Sequence, residues 1–562
     1  MNPNLSKNES RRDRSIYYDY QKNLSSQSQT ARLEKPSVYR GGFSRYSITE
    51  QKIVSSGSYR WDVDNLGGPP MDYDPRGQTV YVDNSDAHTL VIGATGSKKS
   101  RLVAMPTVEI LGMAGESMII CDPKAEIYER TVWLLNRNGY VTNVLNFRKP
   151  ETGDGWNFLS IPYTRFLDGE IDKACEYIND MSITLMPCYA RDPYWDLSAR
   201  DLFVGLTLLL FYLCKENRIS VDHVNMQAVL EMRMELFSAS ITEKVKRHPL
   251  WNLVEAHSVI KAKLIGVAIC PEKTMSCILS TFDQHMSCFT LQPQLTKMLS
   301  STTINFEQIG YKKMAIFLIL PDEKSTYHPL ATIFIKQIYE QLIDLAQKIN
   351  QGRRYPRRVN FILDEFSSLP TISDFPQMIT ASRSRNLRFI LIIQSKHQMR
   401  QRYREETETI FSNCSNWIFL FSRELPLLQE ISELCGMKDR EPLIPIPRLQ
   451  YLDKEKGECL IFSGRLHPYF AHLADIDFYD NGIYEFMEIT RRYPESKELE
   501  IPISSLIKQG GVIEERKTSP QIEQKKKEMP NDSVFDIELQ KELEAKFDEL
   551  FGSINLDDDE DE

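Results

Sequence analysis

The sequence lacks an excess of positive charge: 68 lysines and arginines stand against 78 aspartates and glutamates, for a net charge of -10. Because proteins that coat nucleic acid carry a basic surface, any contact with DNA must be confined to a local patch or channel. The ten cysteines include no C-x-x-C pair and lack histidine-rich spacing, which argues against zinc and disulfide frameworks. Reduced, buried thiols in a cytosolic protein are the simpler interpretation.

Long apolar runs are also missing. The longest, residues 202–214, has about a dozen residues, whereas a membrane-spanning helix needs ~20, so it predicts a buried core helix. The first 30 residues are polar and basic and have no apolar core of a signal peptide. We therefore expect a cytoplasmic protein without a transmembrane segment.

What the sequence does contain is a near match to the phosphate-binding loop G-x-x-x-x-G-K-[ST] in residues 90–101. An apolar strand leads into a loop with Gly93 and Gly96, and a helix is predicted to follow. Lys99 is expected to contact the β- and γ-phosphates of a nucleotide, and the Ser100 hydroxyl to bind Mg²⁺. The predicted nucleotide-binding residues are Gly93, Ala94, Thr95, Gly96, Ser97, Lys98, Lys99, Ser100 and Arg101.

One position departs from this pattern, because Lys98 stands where the second glycine belongs. Glycine is favoured there since the backbone must come close to phosphate. Lys98 either impairs nucleotide binding or supplies a second cationic contact, and the sequence leaves both interpretations open.

Strand and helix patterns alternate on both sides of a long helical stretch. The predicted strands are Gln78–Val82, Ser117–Cys121, Val141–Asn146, Ala315–Leu320, Val359–Leu363, Leu387–Ile393, Gly457–Ser463 and Tyr469–Leu473. This alternation predicts right-handed β-α-β units and a mostly parallel sheet. Residues 156–305 have helical patterns only, with helices predicted at Arg191–Glu216, His223–Ser238, Leu253–Val267 and Lys273–Met286. The expected fold is α/β, interrupted by an inserted all-α domain.

An acidic pair, Asp364 and Glu365, ends the apolar strand Val359–Leu363. In phosphate-loop enzymes such an Asp holds the Mg²⁺ shell, and an adjacent Glu can polarise the attacking water. We therefore predict Asp364 as a metal-binding residue and Glu365 as a catalytic one.

Polar residues also follow other strands, and each has two interpretations. Gln394, after Leu387–Ile393, could sense the γ-phosphate or could be a solvent-facing strand end. Asp122 and Lys124, after Ser117–Cys121, could belong to the site or form a helix-capping turn. Arg383 could stabilise charge on a neighbouring subunit's nucleotide or be a surface arginine.

Taken together, these motifs resemble the type IV coupling proteins (TraG/TraD-like) of bacterial conjugation over residues 75–475. The matching elements, in order and spacing, are the loop at 93–100, Asp122-Pro123-Lys124-x-Glu126, Asp192-Pro193-Tyr194-Trp195, Leu363-Asp364-Glu365-Phe366 and Gln394-Ser395. The resemblance implies a RecA-like P-loop motor domain with an all-α insertion that assembles as a homo-hexamer. It also implies that ATP hydrolysis delivers a relaxase–single-stranded DNA substrate to a secretion channel.

The resemblance further implies roles for individual residues. Lys99, Glu365, Gln394 and Arg383 are the expected catalytic residues, and Ser100 and Asp364 the expected Mg²⁺ ligands. ATP and Mg²⁺ are the expected cofactors, with the relaxase, accessory relaxosome proteins, single-stranded DNA and a membrane subunit of the channel as partners. The expected domains are a flexible basic N-terminal arm at 1–60, the two parts of the RecA-like domain at 61–155 and 306–490, the all-α insertion at 156–305, and a linker, amphipathic helix and acidic tail at 491–562.

Two departures from the family pattern leave alternatives. Members usually begin with transmembrane helices, so this chain would need a membrane partner to recruit it to the inner face of the membrane. Lys98 allows a nucleotide-impaired adaptor of the same fold, and an FtsK/HerA-like translocase outside secretion is a third hypothesis. Near the C-terminus an apolar stripe predicts either a docking helix or a helix packed on its own domain, formed by Phe535, Leu539, Leu543 and Phe547.

Overall fold

The structure, a computed structural model, describes residues 32–35, 40, 43–54, 66–188, 192–237, 248, 250–349, 353–464, 466–479 and 485–494. All of these belong to one compact unit, residues 1–510. The predicted C-terminal amphipathic helix and acidic tail, and most of the predicted basic arm, lie outside the described residues.

The described residues form fifteen strands: β1 (Ser44–Ser47), β2 (Lys52–Val54), β3 (Pro70–Asp74), β4 (Thr79–Val82), β5 (Thr89–Gly93), β6 (Ser117–Asp122), β7 (Val141–Asn146), β8 (Met314–Ile319), β9 (Val359–Leu363), β10 (Leu387–Ile393), β11 (Asn416–Phe421), β12 (Met437–Lys438), β13 (Glu441–Pro442), β14 (Glu458–Ser463) and β15 (Tyr469–His472). Nine of them make the central sheet, in the order β15-β14-β11-β5-β10-β9-β6-β8-β7. The seven strands from β11 to β7 are parallel, and β14 and β15 extend one edge as an antiparallel hairpin.

Both faces of this sheet are covered. Along β5, Leu90 and Ile92 enter one buried cluster, while Val91 between them enters the other. A strand that is buried on both faces needs apolar residues at consecutive positions, which is why the central strands are continuous apolar runs. The predicted mostly parallel α/β sheet is confirmed. Strand β11 was not predicted.

Helices of the α/β part are Met105–Ala114, Glu126–Arg137, His328–Gln347, Phe375–Ser382, Lys396–Tyr403, Glu406–Asn413, Leu425–Cys435 and Ile446–Gln450. The insertion contributes Ser160–Leu167, Ile171–Leu185, Tyr194–Lys215, Met226–Leu236, Trp251–Ala256, Ser258–Ala268, Glu272–His285, Ser287–Leu291 and Pro293–Met298. No strand occurs among the described residues of 156–305, so the all-α insertion is confirmed. The helix predicted at Leu253–Val267 is broken at His257, whose backbone is extended and whose ring stacks on Tyr212 at 3.8 Å.

One helix of the described chain, Tyr194–Lys215, is long and apolar enough to cross a membrane, and a second candidate arises if the bent pair Ser258–Ala268 and Glu272–His285 counts as one span. In the most apolar 18-residue stretch of Tyr194–Lys215, 72% of the residues are buried inside the structure. The helix packs against Ile171–Leu185 and against both members of the bent pair. It is the core helix of the insertion, as the sequence predicted for residues 202–214.

The boundary predicted for the N-terminal arm is wrong for residues 43–54. Strands β1 and β2 pair with each other, and β1 also pairs with β4, in a small antiparallel sheet of order β2-β1-β4-β3. Phe43, Tyr46 and Ile48 are buried there, and the Tyr46 ring stacks on Tyr479 at 5.8 Å. Three apolar anchors therefore hold a segment whose basic composition predicted an arm.

Candidate nucleotide-binding site

A cavity of about 460 Å³ lies where β5, β6, β9 and β10 reach their carboxyl ends. This edge is where open parallel sheets bind ligands. The lining residues come from the segments that follow these four strands and from the connection between β8 and the helix His328–Gln347: Thr95, Gly96, Lys98, Lys99, Ser100, Arg101, Pro123, Lys124, Glu126, Asp322, His328, Glu365, Ser368 and Gln394. Most of the predicted nucleotide-binding residues therefore share one cavity with Glu365 and Gln394.

The phosphate loop turns tightly between β5 and the helix that follows. Gly93 must be glycine because a Cβ there would lie 2.4 Å from the Ser97 Oγ, and Gly96 has a φ of +79°. Lys98 has a φ of 63°, the left-handed conformation that the expected glycine would adopt without strain. A π-helical turn, Ser100–Ala104, opens the helix, and its first two residues, Ser100 and Arg101, line the cavity. The N-terminus of the helix therefore lies at the cavity, where an anion is favoured.

The side chains of Lys98 and Arg101 have carboxylate partners. Lys98 Nζ lies 2.6 Å from Glu455 Oε2, and Arg101 Nε donates to Asp475 Oδ2 at 3.1 Å. Arg101 also contacts Asp477. These acids precede β14 or follow β15, far along the chain, and no sequence signal identified them as part of the site.

Ser100 and Asp364, the predicted metal ligands, are adjacent. The Ser100 hydroxyl donates to Asp364 Oδ2 at 3.2 Å. Burial and the neighbouring charge of Glu365 raise the pKa of Asp364 to about 6, while Lys99 opposes this shift. A hydroxyl and a carboxylate are the hard oxygen donors that Mg²⁺ prefers. The two side chains therefore fit a shared magnesium ion.

A chain of polar contacts joins three of the four predicted catalytic residues, Lys99, Glu365 and Gln394. Lys99 Nζ, almost fully buried, lies 3.7 Å from Glu365 Oε1. Gln394 Nε2 donates to the same Glu365 oxygen at 2.7 Å, and Thr95 Oγ1 donates to Gln394 Oε1 at 2.8 Å. Gln394 is therefore not a free strand end: it links the phosphate loop to the acid that follows β9.

Glu424 anchors the turn after Gln394, and sequence reasoning missed it. Its carboxylate accepts hydrogen bonds from the Ser395 hydroxyl at 2.6 Å and from the Lys396 backbone N–H at 3.0 Å. It thereby caps the helix Lys396–Tyr403 and fixes the direction in which Gln394 leaves β10. The available signal was an acid three residues after the unpredicted strand β11, directly before the helix Leu425–Cys435.

Of the two residues predicted either to belong to the site or to form a helix-capping turn, Asp122 caps a helix and Lys124 lines the cavity. The Asp122 carboxylate accepts the Tyr128 backbone N–H at 2.8 Å, so it caps the start of the helix Glu126–Arg137. Burial raises the pKa of Asp122 to about 7, against the effect of that hydrogen bond. Lys124 instead lines the cavity.

Arg383 lies away from the cavity of its own chain. Its turn, Arg383–Arg385, comes directly before the amino end of β10, at the edge of the sheet opposite the phosphate loop. Arg383 Nη2 donates to Asp86 Oδ1 at 3.1 Å, and Asp86 precedes the amino end of β5. The structure does not bring Arg383 together with the other predicted catalytic residues.

Comparison with known proteins gives a consistent result. The sequence profile of the family described as "Type IV secretory system Conjugative DNA transfer" matches residues 44–442. The conjugal transfer protein TraG of Agrobacterium fabrum is 22% identical over 68% of this chain. The chain spans only 57% of the length of that relative.

Solved structures of the bacterial conjugative coupling protein TrwB lacking its first 70 residues share the fold. The trigonal form in complex with sulphate has a TM-score of 0.50 and 16% identity, covering 73% of this chain and 87% of that one. The unbound monoclinic form has a TM-score of 0.50 and 15% identity, covering 79% and 95%. The predicted RecA-like P-loop fold is confirmed.

Proposed function

This chain belongs to the family of type IV secretory system proteins for conjugative DNA transfer, and from that premise we propose that it is an ATPase that drives DNA transfer. One observation carries the proposal: Lys99, Ser100, Glu365 and Gln394 line a single cavity at the carboxyl edge of the sheet, and Asp364 accepts a hydrogen bond from Ser100 beside it. Family membership supports a role in conjugative transfer over the alternative of an FtsK/HerA-like translocase outside secretion.

Each side chain has a role that follows from its position. Lys99 neutralises charge on the β- and γ-phosphates, with backbone N–H groups of the loop as further donors. Ser100 and Asp364 hold Mg²⁺, which neutralises phosphate charge when it is bound. Glu365 orients the attacking water and accepts its proton, and Gln394 fixes the Glu365 carboxylate through the 2.7 Å hydrogen bond.

Arg383 acts on a neighbouring subunit in this proposal. Its place at the amino edge of the sheet separates it from its own nucleotide cavity, and its side chain is 45% exposed. In a homo-hexamer such an arginine can reach the nucleotide of the next subunit. Mixing an Arg383→Ala chain with a Lys99→Ala chain tests this, because each alone is inactive and activity returns only if Arg383 works across an interface.

The transported substrate is a relaxase attached to single-stranded DNA, with accessory relaxosome proteins and a membrane subunit of the channel as further partners. Hydrolysis takes place on the cytoplasmic side of the membrane. The overall negative charge supports a confined DNA path rather than a coating surface.

The test is the variant Glu365→Gln, which keeps the size of the side chain and removes its charge. We expect ATP binding to remain and hydrolysis to fall by about 100-fold. Glu433→Gln, an exposed acid on the helix Leu425–Cys435, is the matched control. Unchanged turnover in Glu365→Gln would remove Glu365 from the mechanism, and a wild type that binds ATP without hydrolysis would instead indicate an adaptor.

A further inference from the structure

Asp475 lies beside two basic side chains of the phosphate loop. Its carboxylate, only 16% exposed, accepts hydrogen bonds from Arg101 through both Nε and Nη2. Lys98 Nζ lies 3.9 Å from the same carboxylate. The Asp477 backbone N–H donates to Asp475 Oδ1 at 3.3 Å, which orients the acid toward the loop.

The phosphate loop contains two unusual backbone conformations that contacts from outside the loop can stabilise. Lys98 occupies a left-handed conformation that a lysine adopts only when its surroundings enforce it. Arg101 lies in the π-helical turn Ser100–Ala104, a form that is rare and occurs at functional sites. Lys99 and Ser100, the residues that contact phosphate and metal, stand between these two positions. Holding Lys98 and Arg101 from outside therefore fixes the two residues between them.

Glu455 is the weaker partner. It contacts Lys98 Nζ at 2.6 Å, but its side chain is 68% exposed, and exposed ion pairs add little. Asp475, which is better buried and binds a guanidinium through two nitrogens, is the group that contributes most.

We propose that Asp475 is a positioning residue of the phosphate loop, holding Arg101 and Lys98 so that Lys99 and Ser100 face the nucleotide. The proposal rests on the nucleotide-binding function proposed above and adds the antiparallel hairpin β14–β15 to the elements that build the site. Arg101 then serves the loop through Asp475 and does not itself bind phosphate.

The competing interpretation predicts the opposite change in ATP affinity when the charge of Asp475 is removed. If Asp475 only withheld Arg101 from the phosphates, removing its charge would free a cation and tighten ATP binding. If Asp475 positions the loop, removing its charge misplaces Lys99 and Ser100, and turnover falls while binding gains nothing.

The experiment compares the full-length wild type with Asp475→Asn, Asp475→Glu and Arg101→Ala, with Glu433→Gln as the control. Thermal unfolding establishes that each variant is folded, a fluorescent ADP analogue gives Kd, and steady-state hydrolysis gives kcat and KM. We expect Asp475→Asn to lower kcat by about tenfold with no decrease in Kd. Asp475→Glu should recover most of the loss, because it restores the charge.

Further measurements distinguish a failure of the positioning role from a failure of the proposed nucleotide-binding function. The double variant Arg101→Ala with Asp475→Asn should lose no more activity than either single variant, since the two residues act as one unit. Kinetics of Asp475→Asn equal to those of the control, or a tighter Kd with kcat preserved, overturn the positioning role. A folded wild type that does not bind the ADP analogue overturns the nucleotide-binding function itself.

Discussion

Replacing Lys98 by glycine is the change that most directly tests how this phosphate loop works. The left-handed backbone of Lys98 costs about 1–2 kcal/mol in a residue that has a Cβ. Glycine removes that cost, but its greater conformational entropy stabilises the unfolded chain by about 0.4–1 kcal/mol, which lowers the free energy of unfolding by the same amount. The substitution also removes the contacts with Glu455 and Asp475, a partly exposed pair worth about 0–1 kcal/mol.

These contributions nearly cancel, so we expect Lys98→Gly to unfold within about 1 kcal/mol of the wild type. Lys98→Ala is the matched control, because alanine keeps the backbone strain and loses the same ionic contacts. Glycine should therefore exceed alanine in stability by about 0.5–1 kcal/mol. Urea denaturation measures both differences, and Kd for ATP, measured in parallel, should stay within about threefold of the wild type.

A different outcome would refute this reasoning. If Lys98→Gly binds ATP more than about tenfold tighter than the wild type, Lys98 obstructs the loop and the adaptor interpretation gains support. If Lys98→Gly is less stable than Lys98→Ala, the left-handed conformation of residue 98 carries no strain that glycine could relieve.

Two further predictions concern buried charges. Burial raises the pKa of Asp364 from 3.8 in the unfolded chain to about 6, so the stability that its protonated form provides is lost as pH rises through 6. Asp364→Asn should therefore stabilise the protein by about 1–3 kcal/mol at pH 8 and no longer bind nucleotide with Mg²⁺. This advantage should shrink as pH falls from 6 and vanish near pH 4, roughly the unfolded pKa of Asp364. Equal thermal midpoints across pH would contradict this. Glu116→Gln should cost about 3 kcal/mol in urea denaturation, because the buried Arg388 guanidinium, 3.2 Å from Glu116 Oε2, loses its partner charge; a cost near that of an exposed pair such as Arg148–Asp322 would contradict it.

The parts of the fold that the sequence predicted are those with local causes. Val141–Asn146 and Leu387–Ile393 were predicted to the residue, and the second is a fully buried run bounded by Asn386 and Gln394. The hairpin of β1 and β2 was missed because few apolar residues anchor it among basic ones. The break at His257 was missed because it depends on a ring contact with Tyr212.

In the candidate site too, residues in local motifs were predicted and contacts between distant segments were not. Lys99, Ser100, Asp364 and Glu365 follow from short spacings, each at the end of an apolar strand, and the structure brings them together. The contact of Arg101 with Asp475 joins residues 374 positions apart, and no local pattern encodes it. The groups to which we assign chemical roles were therefore predictable from motifs, whereas the proposed positioning group Asp475 depends on the tertiary fold.

ATP hydrolysis by the full chain, with and without single-stranded DNA and beside the variant Lys99→Ala, shows whether this cavity is the active site of an ATPase. We expect Mg²⁺-dependent turnover that DNA stimulates, and a loss of about 100-fold or more in Lys99→Ala. Turnover that Lys99→Ala leaves unchanged would contradict the assignment of this cavity. A folded wild type without turnover under both conditions would contradict the ATPase itself.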